Sequence, residues 1–183
     1  MLPLFRTLTE LSPSSLVWKN ADTALAGIGD VDWMAPQITW ASIIAQVRRW
    51  AAEAGLGPVI VCNHVPEGMF VIALDGYNEF FQLDVRSNAS FRGATVFSAE
   101  DLVDMASMDP RGFRRLRPGA EGLLKLVLKG LAWGGRPRVA KLQSEGVLPL
   151  IVQDAVGVRD AAALFNPASN ALISAAEGFT HGS

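Results

Sequence analysis

KNADTALAGIGDVDW, residues 19–33, is the stretch that decides the fold. It ends in Asp30-Val31-Asp32, two carboxylates two residues apart. Val31, Trp33 and Met34 are strand formers, and Gly27 and Gly29 punctuate the chain just before them. In a strand, residues i and i+2 point to one face, so Asp30 and Asp32 are expected side by side. Two ionised carboxylates held that close repel each other, and one should titrate high unless a cation lies between. Hard divalent cations such as Mg²⁺ take oxygen ligands, commonly one or two carboxylates plus substrate phosphates. For an isolated pair the plainer alternative is a loop end with two solvated aspartates.

The surroundings supply more. Upstream, 21–26 reads as a short helix. Downstream, FFQLDVRS (80–87) is strand-like. Its alternation sets Phe81, Leu83 and Val85 against Gln82, Asp84 and Arg86, which puts Asp84 and Arg86 on one polar face. Asp84 is therefore the candidate third carboxylate. Asp75, before Gly76 in turn-like sequence, ranks below it. Arg86 could bind phosphate or pair with Asp84.

Helix, G-D-x-D strand, then a later strand with a third carboxylate resembles the DNA polymerase β-like nucleotidyltransferase superfamily. Within it, K-N-A-D-T-A-L followed by G-D-V-D-W is most similar to two bacterial branches: abortive-infection toxin nucleotidyltransferases, and uncharacterised nucleotidyltransferases with K-G then D-x-D-L. The resemblance spans roughly 16–138. It implies that Asp30, Asp32 and Asp84 are catalytic and hold two Mg²⁺ (or Mn²⁺) ions for in-line attack on the α-phosphate of a nucleoside triphosphate. It further implies that Lys19, Asn20, Arg86 and a basic residue of a later helix, Lys125 or Lys129 with Arg136 and Arg138 beyond, face the nucleotide. The acceptor hydroxyl stays open: sugar, small molecule, RNA or protein. Two departures stand out. Asn20 and Ala21 replace the family's small glycine-containing pair, removing glycine's backbone freedom. Arg138 is followed by Val139, where the toxin branch has an Arg-Asp pair.

The chain's 183 residues suffice for a sizeable core, and a half-apolar, 19% charged composition argues against disorder. A net charge of −2 predicts no general attraction to nucleic acid or anionic membrane. Cys62, the only cysteine, excludes an internal disulfide and is expected to be a small buried residue in a reducing, cytoplasmic setting. The first 15 residues lack the pattern of a signal peptide, and no apolar run approaches a membrane span.

Periodicity predicts a helix from 37 or 39 to 54, its apolar face built from Trp40, Ile43, Ile44, Val47, Trp50 and Ala51. Strands follow at 59–65, 69–74 and 79–85, joined by turn sequences. Ser98 should cap a helix over 99–106, with Asp101 three residues on. DPRGFRRLRPG holds Arg111, Arg114, Arg115 and Arg117. This is either an anion-binding loop or one that balances nearby acids. Helices are expected at 4–11, 120–133, 139–144 and 150–165, with breaks at Pro149, Gly157 and Pro167. His64 is a candidate general base, or more plainly a hydrogen-bonded structural residue; His181 lies in a polar tail.

The expected fold is α/β in the α+β sense. A mixed, largely antiparallel sheet of four or five strands is flanked by helices in a core over 1–117, and a helical region over 118–183 packs on it. The leading function is metal-dependent nucleotidyl transfer. One alternative is a catalytically inactive binding or regulatory module of the same fold, favoured by Asn20-Ala21. The other is a D-x-D nucleotide-sugar glycosyltransferase, disfavoured because only 29 residues precede Asp30.

Overall fold

The computed structural model describes residues 1–75, 80–91, 94–129 and 139–181. They fall into two compact units, Met1–Arg115 and Leu116–Ser183.

The first unit is α+β. In chain order it runs α1 (Leu2–Glu10), β1 (Leu16–Lys19), α2 (Ala21–Leu25), β2 (Val31–Met34) and α3 (Trp40–Glu53). It continues with β3 (Val59–Val65), β4 (Gly68–Leu74), β5 (Phe80–Arg86), β6 (Asn88–Phe91), β7 (Ala94–Ser98), β8 (Ala106–Met108) and β9 (Arg114–Leu116). Among the described residues one sheet has seven strands in the order β3-β4-β5-β2-β1-β9-β8, and β6 and β7 form a separate hairpin. The sheet is mixed: β2 runs parallel to β5 and antiparallel to β1, and β3-β4-β5 is an antiparallel meander.

This sheet is larger than the four or five strands expected, because β1, β8 and β9 are only three or four residues long. So short a run carries too few alternating positions for a period to register. The meander and α3 lie where the periodicity places them. Ser98 and Asp101 make the reciprocal cap: the Ser98 N–H donates to Asp101 Oδ2 at 2.7 Å and the Asp101 N–H to Ser98 Oγ at 3.2 Å. The capped segment, Glu100–Met105, is a 3₁₀ helix rather than an α-helix.

Pleating separates the two sheet faces. Val31, Trp33, Leu83, Val85, Met69, Val71 and Ala73 point to one side and form the core with Leu4, Phe5 and Leu8 of α1 and Ile43, Val47 and Ala51 of α3. Phe5 packs on Trp33 at 5.8 Å and edge-on to Phe113 at 5.3 Å, while Trp50 of α3 meets Phe81 at 4.8 Å. The even-numbered residues of β2 and β5 face the other way. On edge strand β3 the same alternation turns Ile60 and Cys62 outward. Cys62 is therefore exposed, not buried as expected.

One irregularity matters for the site. In β1, Val17 pairs with Trp33, but Lys19 rather than Trp18 lies opposite Asp32. Trp18 is the extra residue of a β-bulge, which re-aims the side chains on either side of it.

The second unit is helical: α4 (Pro118–Lys129), α5 (Val139–Ser144), α6 (Val147–Gln153), α7 (Ala155–Ala163) and α8 (Ser169–His181). The expected helix over 150–165 is divided at Asp154, whose carboxylate caps α7 by accepting from the Gly157 N–H at 2.9 Å. Pro149 lies in the first turn of α6, where its missing N–H costs nothing. Gly157 lies inside α7 rather than breaking it, because backbones meet there. A Cβ on Gly157 would lie 2.9 Å from the Ala120 nitrogen, and one on Gly119 would overlap the Asp154 carbonyl oxygen.

Candidate metal centre

Asp32 sits in the middle of a cross-strand row. In register it has Lys19 of β1 on one side and Asp84 of β5 on the other. Residues opposite each other in a sheet share a face, so parallel pairing of β2 with β5 brings the two carboxylates together. Asp30, the last residue before β2, joins them and is the most exposed of the three. One ligand oxygen from each of Asp30, Asp32 and Asp84 lies within 4.8 Å of the others. The carboxylate that lies beside Asp30 and Asp32 is Asp84.

Asp32 and Asp84 are only 3% and 5% exposed. Each gives one oxygen to a cation of this chain. Lys19 Nζ lies 2.5 Å from Asp32 Oδ1, and Arg86 donates to Asp84 Oδ2 through Nε at 3.3 Å and Nη2 at 3.2 Å. The other oxygen of each, Asp32 Oδ2 and Asp84 Oδ1, is buried without a hydrogen-bond partner. A buried carboxylate oxygen left unsatisfied costs free energy, so native structures seldom keep one without a function or a bound ion. Two such atoms, beside a third carboxylate, fit a hard cation that takes oxygen ligands. Burial pushes Asp32 up to about 6; Lys19 pulls it down, and Asp30 and Asp84 add to the rise.

Lys19 belongs to a buried strand, and its ammonium also lies 5.0 Å from the centre of the Trp18 ring. Trp18 is a site neighbour that the residue pattern alone does not single out. The apolar run Leu16-Val17-Trp18 before Lys19 is the one local sign of a strand there. Asn20 has φ +57°, the left-handed region. Asparagine is among the few residues other than glycine that enter this region routinely. The backbone turn before α2 is therefore present despite the missing glycine.

Other candidates are elsewhere engaged. Lys125 is 2% exposed inside the helical unit, 2.8 Å from Glu121 and 3.2 Å from the Glu145 carbonyl oxygen. Lys129 lies 3.2 Å from Glu145 Oε1. Lys125, expected as one of two lysines facing a nucleotide, is a buried ammonium neutralised by Glu121 within its own unit. The arginine-rich loop balances acids. Arg111 reaches Asp22 at 2.6 Å and Asp109 at 2.7 Å, and Arg115 reaches the same pair at 3.0 and 3.4 Å. Arg114 donates to the carbonyls of Thr9, Ser12 and Ser15. Arg117 holds Asp154 and Asp160. Arg111 keeps the Asp109 carboxyl far below the usual range. The side chains of His64 and His181, and residues Arg92, Trp133, Arg136 and Arg138, lie outside the described ones.

Comparison with known protein families, with characterised proteins and with solved structures finds no match to this chain. Among the described residues no helix is long and apolar enough to cross a membrane.

Proposed function

We propose that the chain is a metal-dependent nucleotidyltransferase, transferring a nucleoside monophosphate from a triphosphate to an acceptor hydroxyl. The observation that carries the proposal is the pair of unpartnered, buried oxygens on Asp32 and Asp84, set in register and closed by Asp30. These three residues would hold Mg²⁺ or Mn²⁺, which when bound supplies charge neutralisation at the phosphates and activates the attacking hydroxyl. Asp30, the more exposed, and Asp32, the buried one, would supply oxygens to both ions. Asp84 would act on the side of the attacking hydroxyl and could take its proton. Arg86, with its guanidinium about one-third exposed, can turn from Asp84 towards a phosphate and stabilise the leaving pyrophosphate. Asn20 shapes the turn beside Lys19 that leads into α2. We place this activity in the cytoplasm, where an exposed free thiol at Cys62 is compatible with a reducing setting.

One observation favours a second reading, a binding module without catalysis: Lys19 already partners Asp32, as a structural ion pair would. The test is nucleoside triphosphate binding with and without Mg²⁺, in the wild type and in Asp32→Ala, followed by transfer from α-labelled triphosphate to candidate acceptors. Metal-dependent binding that is lost in Asp32→Ala supports the enzyme. Absence of both metal and triphosphate binding at millimolar concentration overturns it and leaves the binding module.

A further inference from the structure

We infer that Lys19 is the site's resident counter-ion, which a divalent metal must displace, and not a fixed part of the metal site. The inference rests on the three carboxylates being a metal site. Lys19 Nζ is at hydrogen-bond contact with Asp32 Oδ1, and both side chains are more than nine-tenths buried. Asp32 is the central carboxylate of the row, so no ion shared among the three can avoid it. Mg²⁺ binds carboxylate oxygen at about 2.1 Å. An ion on Asp32 would then lie within about 5 Å of the ammonium if bound to Oδ1 and within about 7 Å if bound to Oδ2, and a double and a single positive charge that close in a buried site repel.

The two cations of the site differ in how they can yield. The Arg86 guanidinium, about one-third exposed, holds one oxygen of Asp84 and leaves the other open, as Lys19 does at Asp32. Lys19 is a compact charge on a flexible stem, seated in the interior. Its ammonium is within 5.0 Å of the Trp18 ring, an alternative face for a cation that leaves the carboxylate. Without metal, Lys19 and Arg86 oppose the three aspartates and leave a formal charge of about −1, which lets the apo protein fold around a buried acidic cluster. The consequence is a metal affinity set low by an internal competitor.

The test is Mn²⁺ binding at pH 8 without nucleotide, by titration calorimetry and electron paramagnetic resonance, in the wild type and Lys19→Gln. Removing the competitor should tighten Mn²⁺ by about tenfold or more. Wild-type binding with Lys19→Gln no tighter, or weaker, overturns the inference while leaving the metal site standing. Failure of both proteins to bind Mn²⁺ at millimolar concentration overturns the two together. Should Lys19→Gln not fold, the Nζ resonance of Lys19 in wild-type protein, assigned by its loss in Lys19→Arg, decides. It should shift or broaden on saturation with Mg²⁺, and an unchanged resonance overturns displacement.

Discussion

Two acidic clusters in the first unit use the same residue type to opposite ends. At Asp109, two guanidiniums and a backbone N–H bind the carboxylate, and Arg111 drives its acidity up. At Asp32 and Asp84 each carboxylate has one cation and one bare oxygen, and burial drives Asp32 towards protonation. The first arrangement is what folding alone selects, since every buried acceptor is satisfied. The second carries a cost that the fold does not require, and this contrast marks out a candidate site among the acids of the described residues.

The sharpest way to break the comparison is Asp84→Asn. The amide keeps an oxygen for Arg86 but removes the charge proposed to bind metal. Mn²⁺ affinity should fall by about a thousandfold, some 4 kcal/mol, while denaturant stability stays level or rises as repulsion with Asp32 is relieved. Equal loss of stability and binding would make Asp84 a structural acid like Asp109. The converse variant, Asp109→Ala, leaves Arg111 and Arg115 short of their acceptor and should cost about 3 kcal/mol in urea unfolding, with Mn²⁺ binding unchanged.

The clusters should also part company along the pH axis. Asp32 has a folded pKa of about 6, above its ordinary 3.8, so the folded chain holds the proton more tightly. Its contribution is complete below pH 4 and is lost as pH rises through 6, by about 3 kcal/mol at most. Asp109 and Asp154 are depressed, Asp154 because its burial is outweighed by Gly157, Gly119 and Arg117. Their contributions are present above pH 4 and are lost as pH falls through their folded pKa values. Unfolding of metal-free protein should therefore become easier between pH 4 and 6, and Asp32→Asn should flatten that limb. A wild-type curve flat from pH 4 to 7 would refute the assignment. The smallest effect is expected at Asn20. Asn20→Ala should cost about 1 kcal/mol for a β-carbon in the left-handed region, and Asn20→Gly should be close to neutral in thermal melts.

Much of this contrast is legible in the amino-acid sequence. Alternation in 80–86 assigns Asp84 to the face opposite the core, and D-x-D spacing aligns Asp30 with Asp32. The meander and α3 follow from strong periods over seven or more residues. What local pattern does not carry is whatever depends on pairing across long sequence separations. The bond partners of Arg111 and Arg115 include Asp22, some 90 positions away. A loop of four arginines reads the same whether those partners are present or not. The burial of Lys125 is hidden for the same reason, and the exposure of Cys62 because nothing local marks β3 as an edge.

The bulge at Trp18 acts as a phase shift of one residue. With a regular ladder, Trp18 would stand opposite Asp32 and Lys19 would turn to the core side. The one extra residue thus decides that a cation, and not a neutral indole, stands beside Asp32. The charge beside Asp32 is set by strand register as well as by residue identity, and a point substitution at Lys19 changes the second without touching the first.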